Sequence, residues 1–322
     1  MNASQFIKET FKDDFLEFNK YLDVALSNSN PRINEIIKHV FKSSGKRVRP
    51  IMVFLAAKAC GNITPETYHG AVTVELLHTA TLIHDDVVDE SDIRRSQPSA
   101  NAIFDNKRSV LAGDYLLSSS LVESVKTNSL DVVRIISDLG KKLSEGELNQ
   151  YSLVNEIIID ENEYFEVINK KTASLMDACM RIGAITAGAE KEIVEDFGEV
   201  GRLMGIAFQL RDDIFDYYNQ DVGKPTGNDI REGKITLPLL YALKNSKDKE
   251  LFLDIIRNKE FDDKNIERLI EFAIENKGIE HTYNVMNEHL EKADVIIKQM
   301  NINEEVQSLI QTFIIFLRNR NI

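Results

Sequence analysis

VELLHTATLIHDDVVDESDIRR, residues 74–95, changes character at its middle. Val74 to Ile83 is an apolar run of helical period. From Asp85 onward five acids fall within eight positions, and Arg94 and Arg95 then reverse the sign. An aspartate cluster at the end of an apolar helix is costly, because desolvation and mutual repulsion both oppose its ionisation. Bound cations remove that cost.

The pattern occurs twice. Asp85-Asp86-Val87-Val88-Asp89 is matched by Asp212-Asp213-Ile214-Phe215-Asp216, which follows the apolar run Met204–Leu210. In each copy the first and last aspartates are four apart, so on a helix they share a face about 6 Å apart along the axis. Hard oxygen donors at that spacing suit magnesium, which takes one or two carboxylates and leaves its other positions to water and phosphate oxygens.

The rest of the chain reads as helix. Only six prolines occur in 322 residues. Pro31, Pro50 and Pro65 stand where helices start. Phe6, Phe11, Phe15, Phe18, Leu22 and Leu26 form one helical stripe, and Leu309, Ile310, Phe313, Ile314 and Leu317 another. Strict alternation is almost absent; Ile157-Ile158-Ile159 is the best strand candidate. The fold class expected is all-α, a dozen or so helices in a single domain spanning 1–322, with the more polar 245–322 as a peripheral helical layer.

Composition narrows the partners. With 52 acids against 39 bases the net charge is −13, which disfavours nucleic acid and anionic membrane. No uncharged apolar run reaches about 18 residues, so stable membrane insertion is not expected. The N-terminal stretch lacks a signal-peptide apolar region. Cys60 and Cys179 have no CxxC spacing and read as small buried hydrophobes of a reduced, cytoplasmic protein. An acidic chain that binds anions must gather its own local cations. Lys46 and Arg49 lie three apart in GKRVRP. His78 is two helical turns before Asp85, Arg94 and Arg95 follow the first cluster, and Lys171-Thr172, Gln209, Lys224 and Lys234 lie near the second or on later helices.

GKRVRP, LIHDDVVDESDIRR, AGDYLL, KT at 171, FQLRDDIFDY, GKPTGND and EGKITLPL, in this order, resemble the motifs of the trans-isoprenyl diphosphate synthases over about residues 45–240. The resemblance implies the isoprenoid synthase fold: helices around a deep central cavity, with the two aspartate motifs facing each other across its mouth. It implies a prenyltransferase that adds isopentenyl diphosphate to an allylic diphosphate, farnesyl or geranyl, by successive 1′–4 condensation. About three magnesium ions would sit on Asp85, Asp89, Asp212 and Asp216, with Asp86 and Asp213 in supporting roles. Arg94, Lys171, Thr172, Gln209, Lys224 and Lys234 would contact the allylic diphosphate, Lys171 and Lys224 acting with the metal-binding aspartates as catalytic residues. Lys46, Arg49, His78 and Arg95 would hold isopentenyl diphosphate. Departing pyrophosphate would take the proton, so no protein base is required, and His84 is expected to make a structural hydrogen bond. A homodimer is implied by the same resemblance.

Product length, in this family, is set by side chains four and five positions before the first aspartate. Here these are Thr81 and Ala80, with Leu77 and Val74 one turn further. None is aromatic, which favours a long product, from heptaprenyl to decaprenyl and centred on octaprenyl; a deeper floor is sought near Leu139–Leu148. The alternatives are a geranylgeranyl synthase, a terpene cyclase or head-to-head synthase, a magnesium-dependent phosphohydrolase, and a non-catalytic helical partner subunit. GKRVRP and His78 speak against a cyclase, nothing is set to activate water, and retention of all six aspartates speaks against a partner subunit.

Overall fold

The computed structural model describes residues 9–42, 47–94, 97–157, 159–218 and 226–318. Phe6, Lys46, Arg95, Ile158 and Lys224 lie outside them. The helices are α1 (Lys12–Leu26), α2 (Pro31–Lys42), α3 (Val48–Cys60), α4 (Pro65–Val88), α5 (Ala100–Phe104), α6 (Asn106–Lys126), α7 (Leu130–Glu156) and α8 (Glu161–Ile168). A π-helical turn, Asn169–Ala173, leads into α9 (Ser174–Thr186) and α10 (Lys191–Phe215). After these come α11 (Asn228–Arg231), α12 (Leu237–Asn245), α13 (Lys249–Arg257), α14 (Asp263–Glu275), α15 (Gly278–Gln299) and α16 (Glu304–Arg318). Among the described residues the only ladder joins two-residue strands, β1 (Ile93–Arg94) and β2 (Gln97–Pro98), paired antiparallel with Arg94 opposite Gln97. The all-α expectation holds. No described helix is long and apolar enough to cross a membrane.

The chain divides into two compact units. One comprises Met1–Gly140, Met176–Gly198 and Met300–Leu309; the other comprises Lys141–Leu175, Glu199–Gln299 and Ile310–Ile322. The first aspartate motif belongs to the first unit and the second motif to the second.

In the first unit the phenylalanine stripe of α1 closes on Phe54 of α3, with Phe11, Phe15 and Phe18 at ring-centroid distances of 5.9, 5.9 and 6.2 Å. Pairs of this kind add about 0.5–1.5 kcal/mol each beyond the apolar area they bury. From Ile51 to Ala57, α3 is buried on every side, the signature of a helix inside a core. Helix α4 starts on a capping box: Thr64 Oγ1 accepts from the Thr67 amide at 3.3 Å, and Thr67 Oγ1 accepts from the Thr64 amide at 3.2 Å. It packs along α6, where Ser120 Oγ donates to the Thr73 carbonyl at 2.9 Å and buried Glu123 takes His69 and Lys126 on its two oxygens, each at 2.6 Å. His84 makes the structural hydrogen bond expected of it, to the Val110 carbonyl at 3.2 Å.

In the second unit α12 to α15 enclose an apolar core that includes Leu239, Ile255, Ile256, Leu269 and Phe272. The helices beyond 245 are amphipathic, each burying one stripe. Two smaller expectations are corrected. Ile157 has a φ of 54° and ends α7 in a turn. With Ile159 it packs on this core instead of pairing as a strand, because burial satisfies β-branched side chains that have no partner strand. Cys60 is half-buried; only Cys179 is fully enclosed.

Candidate active site

The first motif occupies the C-terminal end of α4. Asp85 and Asp89 keep helical register, the Asp89 amide donating to the Asp85 carbonyl at 2.8 Å. Asp89 is exposed and Asp85 half-buried, whereas Asp86 on the opposite side is buried. Asp86 turns inward and binds Arg94 Nε. Its backbone carbonyl takes the Ser91 amide at 2.9 Å and Asn101 Nδ2 at 3.3 Å. The middle aspartate thus anchors the β1–β2 hairpin that carries Arg94. A cavity of about 70 Å³ beside it is lined by Arg47, Arg94, His39, Glu75 and Asp86 among others. Arg49, in the first turn of α3, and His78, on α4, are both half-buried in the same unit and lie outside that wall.

The second motif ends α10, and its environment is more explicit. A cavity of about 230 Å³ gathers Lys171, Thr172, Gln209, Asp213 and Lys234, five residues spread over 64 positions of sequence. The π turn makes this possible. Lys171 and Thr172 sit within it, wedged between two glycines. A Cβ on Gly146 of α7 would lie 2.8 Å from Lys171 Cγ, and one on Gly205 of α10 would lie 2.5 Å from Ala173 Cα. With no side chain at either position the turn lies flat on both helices. Thr172 then reaches Gln209, one helical turn beyond Gly205, and donates to its Oε1 at 2.8 Å. Gln209 Nε2 donates in turn to Asp213 Oδ1 at 2.8 Å.

Asp213 mirrors Asp86: it is the middle aspartate, it is buried, and it is held from within, by Gln209 and by the Tyr164 hydroxyl. Burial, reinforced by the negative charge of Asp229, pushes its carboxyl up to about 8. The folded chain therefore holds this proton far more tightly than the unfolded chain, whose aspartates titrate near 4. Between about pH 4 and 8 the folded state binds the extra proton, so rising pH removes stability across that window. In metal-free buffer the melting temperature is expected to fall from pH 5 to pH 8, and Asp213→Asn is expected to flatten that slope. Melts of the two proteins with equal slopes would refute this origin.

Asp212 points the other way. It is exposed and lies 3.3 Å from Arg211 Nη2. Arg211 is itself buried over the faces of Phe208 and Phe215, 4.7 and 5.8 Å from the ring centroids. Asp216 lies just beyond the end of α10, and its Oδ1 and Oδ2 accept the backbone amides of Asn228 and Asp229, both at 2.9 Å. It closes the N-terminus of α11. The described cations are held by acids: Arg94 by Asp86, Lys171 by Glu147 with Gln150 at 3.0 Å, and Lys234 by Glu232 at 2.6 Å. Among the described residues no three His, Cys, Asp or Glu side chains form a ready-made metal cage. The donor set, aspartate oxygens alone, fits a hard cation that keeps water and phosphate ligands.

Sequence reasoning missed Tyr164, Asp229, Glu147, Gln150 and Arg211. Asp229 stands in the GKPTGND segment, and Arg211 adjoins the second motif. Nothing local marks Glu147, Gln150 or Tyr164, which meet the site only through the packing of α7 and α8.

Comparison with known proteins places this arrangement. The polyprenyl synthetase family model matches residues 30–273. The octaprenyl diphosphate synthase of Haemophilus influenzae is 34% identical over 94% of this chain and 93% of its own. Among solved structures, a decaprenyl diphosphate synthase from Rhodobacter capsulatus superposes with a TM-score of 0.93 at 31% identity, covering 98% of this chain and 99% of that one. A polyprenyl synthase from Caulobacter crescentus, solved with calcium and isoprenyl diphosphate, gives 0.91 at 30% identity, covering 98% of each chain. Motifs, helical fold and whole-length similarity agree, and the chain belongs to the polyprenyl synthetase family.

Proposed function

We propose that this chain is a long-chain all-trans polyprenyl diphosphate synthase, joining isopentenyl diphosphate to farnesyl or geranyl diphosphate in repeated 1′–4 condensations. The observation that carries the reading is the cavity joining Lys171, Thr172, Gln209 and Lys234 to the buried middle aspartate of the second motif. Its polar groups suit a diphosphate, with ammonium donors on Lys171 and Lys234 and hydroxyl and amide groups on Thr172 and Gln209. The relatives support the long product and the divalent metal.

Asp85, Asp89 and Asp212 are assigned to magnesium, about three ions in all, which would neutralise charge gathering on the departing diphosphate. Asp216 is assigned to the same ions, and its carboxylate also holds the start of α11. Lys171 leaves Glu147 for the allylic diphosphate, and Lys234 leaves Glu232. Lys224 joins them in this assignment, while Lys46, Arg49, His78 and Arg95 are assigned to isopentenyl diphosphate. As the allylic carbon–oxygen bond breaks, the cations stabilise the leaving group. The isopentenyl double bond attacks the allylic cation, and the leaving diphosphate takes the proton. No protein nucleophile is used.

A single functional domain spanning 1–322 is part of the proposal, supported by a family match that runs through segments of both units. So is a homodimer: α6 exposes Leu111, Val122 and Val125, whose spacings of 11 and 3 put them on one face, and a second copy would cover it. The unpaired cysteines support a cytoplasmic setting. Incubation with farnesyl diphosphate, labelled isopentenyl diphosphate and magnesium is expected to give heptaprenyl to decaprenyl products, octaprenyl predominating, from a particle of twice the chain mass. No incorporation, or geranylgeranyl as the end product, would overturn the reading.

A further inference from the structure

Tyr164 lies on α8, eight residues before Thr172, and is buried. Its ring packs edge-on against Phe165 at 5.3 Å, and Phe165 stacks on His289 of α15. That packing fixes the direction of the hydroxyl, which donates to Asp213 Oδ2. The other carboxylate oxygen, Oδ1, takes Gln209 Nε2 at 2.8 Å. With Tyr164 engaged on Oδ2, Oδ1 is left as an acceptor, so the Gln209 amide presents its NH₂ end to it. The amide oxygen must then face away, and it meets Thr172, whose hydroxyl donates to it at 2.8 Å. The Thr172 proton is thereby committed to Gln209, and the second Nε2–H of Gln209 is the donor this chain aims at a phosphate oxygen. Tyr164, Thr172, Gln209 and Asp213 all line the 230 Å³ cavity, together with Lys171.

We propose that Tyr164 is a positioning residue of the diphosphate site, acting through Asp213 to fix the Gln209 amide and the Thr172 hydroxyl in one orientation. This rests on the reading of that cavity as the allylic diphosphate site. Tyrosine suits the task because it supplies one neutral donor on a rigid arm and brings no charge to compete with the cations for the substrate. A lysine or arginine there would bring a buried positive charge, which burial disfavours, and would leave the amide orientation less strictly set. Buried hydrogen-bond chains of this kind hold their members jointly, so losing one end relaxes all of them.

The test is Tyr164→Phe, which removes the donor and keeps the ring. The half-saturation concentration for farnesyl diphosphate is expected to rise about 10-fold, that for isopentenyl diphosphate to change less than 2-fold, and the melting temperature to stay within a few degrees. Calorimetric binding of farnesyl thiodiphosphate, an unreactive analogue, with magnesium is expected to weaken by the same factor. If Tyr164 acts through Asp213, the double variant Tyr164→Phe/Asp213→Asn binds the analogue no more weakly than Asp213→Asn alone. Additive losses, or equal losses for both substrates, overturn the proposal. Wild-type protein that fails to bind the analogue at all overturns instead the diphosphate reading beneath it.

Discussion

Asp212→Asn lowers kcat about 10³-fold and leaves the melting temperature unchanged, while Asp216→Asn lowers the melting temperature by several degrees. The two residues have the same chemistry and stand four apart, yet their surroundings predict opposite failures. Asp212 is exposed and lies 3.3 Å from Arg211, whose guanidinium is also held by the Leu317 carbonyl and two phenyl rings and so keeps partners when the carboxylate goes. Its loss removes an oxygen donor from the cation site, and transition-state charge stabilisation of that kind is worth about 10²–10³ in rate per donor. Asp216 accepts two backbone amides at the start of α11, and losing a cap costs about 0.5–2 kcal/mol. Steady-state rates and melting curves for both variants distinguish the cases, with bisphosphonate uptake in magnesium as a third measure. An Asp212→Asn protein within tenfold of wild type would sink the assignment of Asp212 to the metal.

Ala80→Tyr shortens the product by several isoprene units. Ala80 is five residues before Asp85 on α4 and is 1% exposed; Leu77 and Val74 on the same helix are equally enclosed. If the growing chain passes this face, a phenol ring there blocks it within the first few additions. Overpacking a buried position costs about 1–3 kcal/mol, so the melting temperature must accompany the product analysis. A folded variant whose products match those of wild type in length would place the growing chain elsewhere.

The helical architecture was legible because apolar residues of period 3.6 and three well-placed prolines carry it. Pro31 and Pro65 begin α2 and α4, and Pro50 lies in the first turn of α3. The phenylalanine stripe at 11, 15 and 18 proved to be the α1 face against Phe54. Both middle aspartates turned out buried and held from within, which no sequence pattern announced. What could not be read was which acids hold the cations. Glu147 meets Lys171 because α7 runs beside the π turn, and that turn has no sequence signature of its own beyond the glycines that admit it. Tyr164 escaped for the same reason: on sequence it is one more aromatic of an amphipathic helix. The Ile157–Ile159 reading failed because β-branched residues favour a strand only where another strand is available.

The pairing of Lys171 with Glu147 and of Lys234 with Glu232 has a kinetic consequence. At rest this pocket is a zwitterion, inside a molecule that is acidic overall, so it exerts little pull on a bare anion at a distance. On the proposed reading of this pocket, a bare nucleotide or inorganic phosphate would have to displace both carboxylates to reach the two lysines. A diphosphate escorted by divalent ions would arrive with its charge already masked, the ions meeting the carboxylates as the lysines meet the phosphates. On that reading, selectivity would reside in how Glu147 and Glu232 silence the pocket's own positive charge.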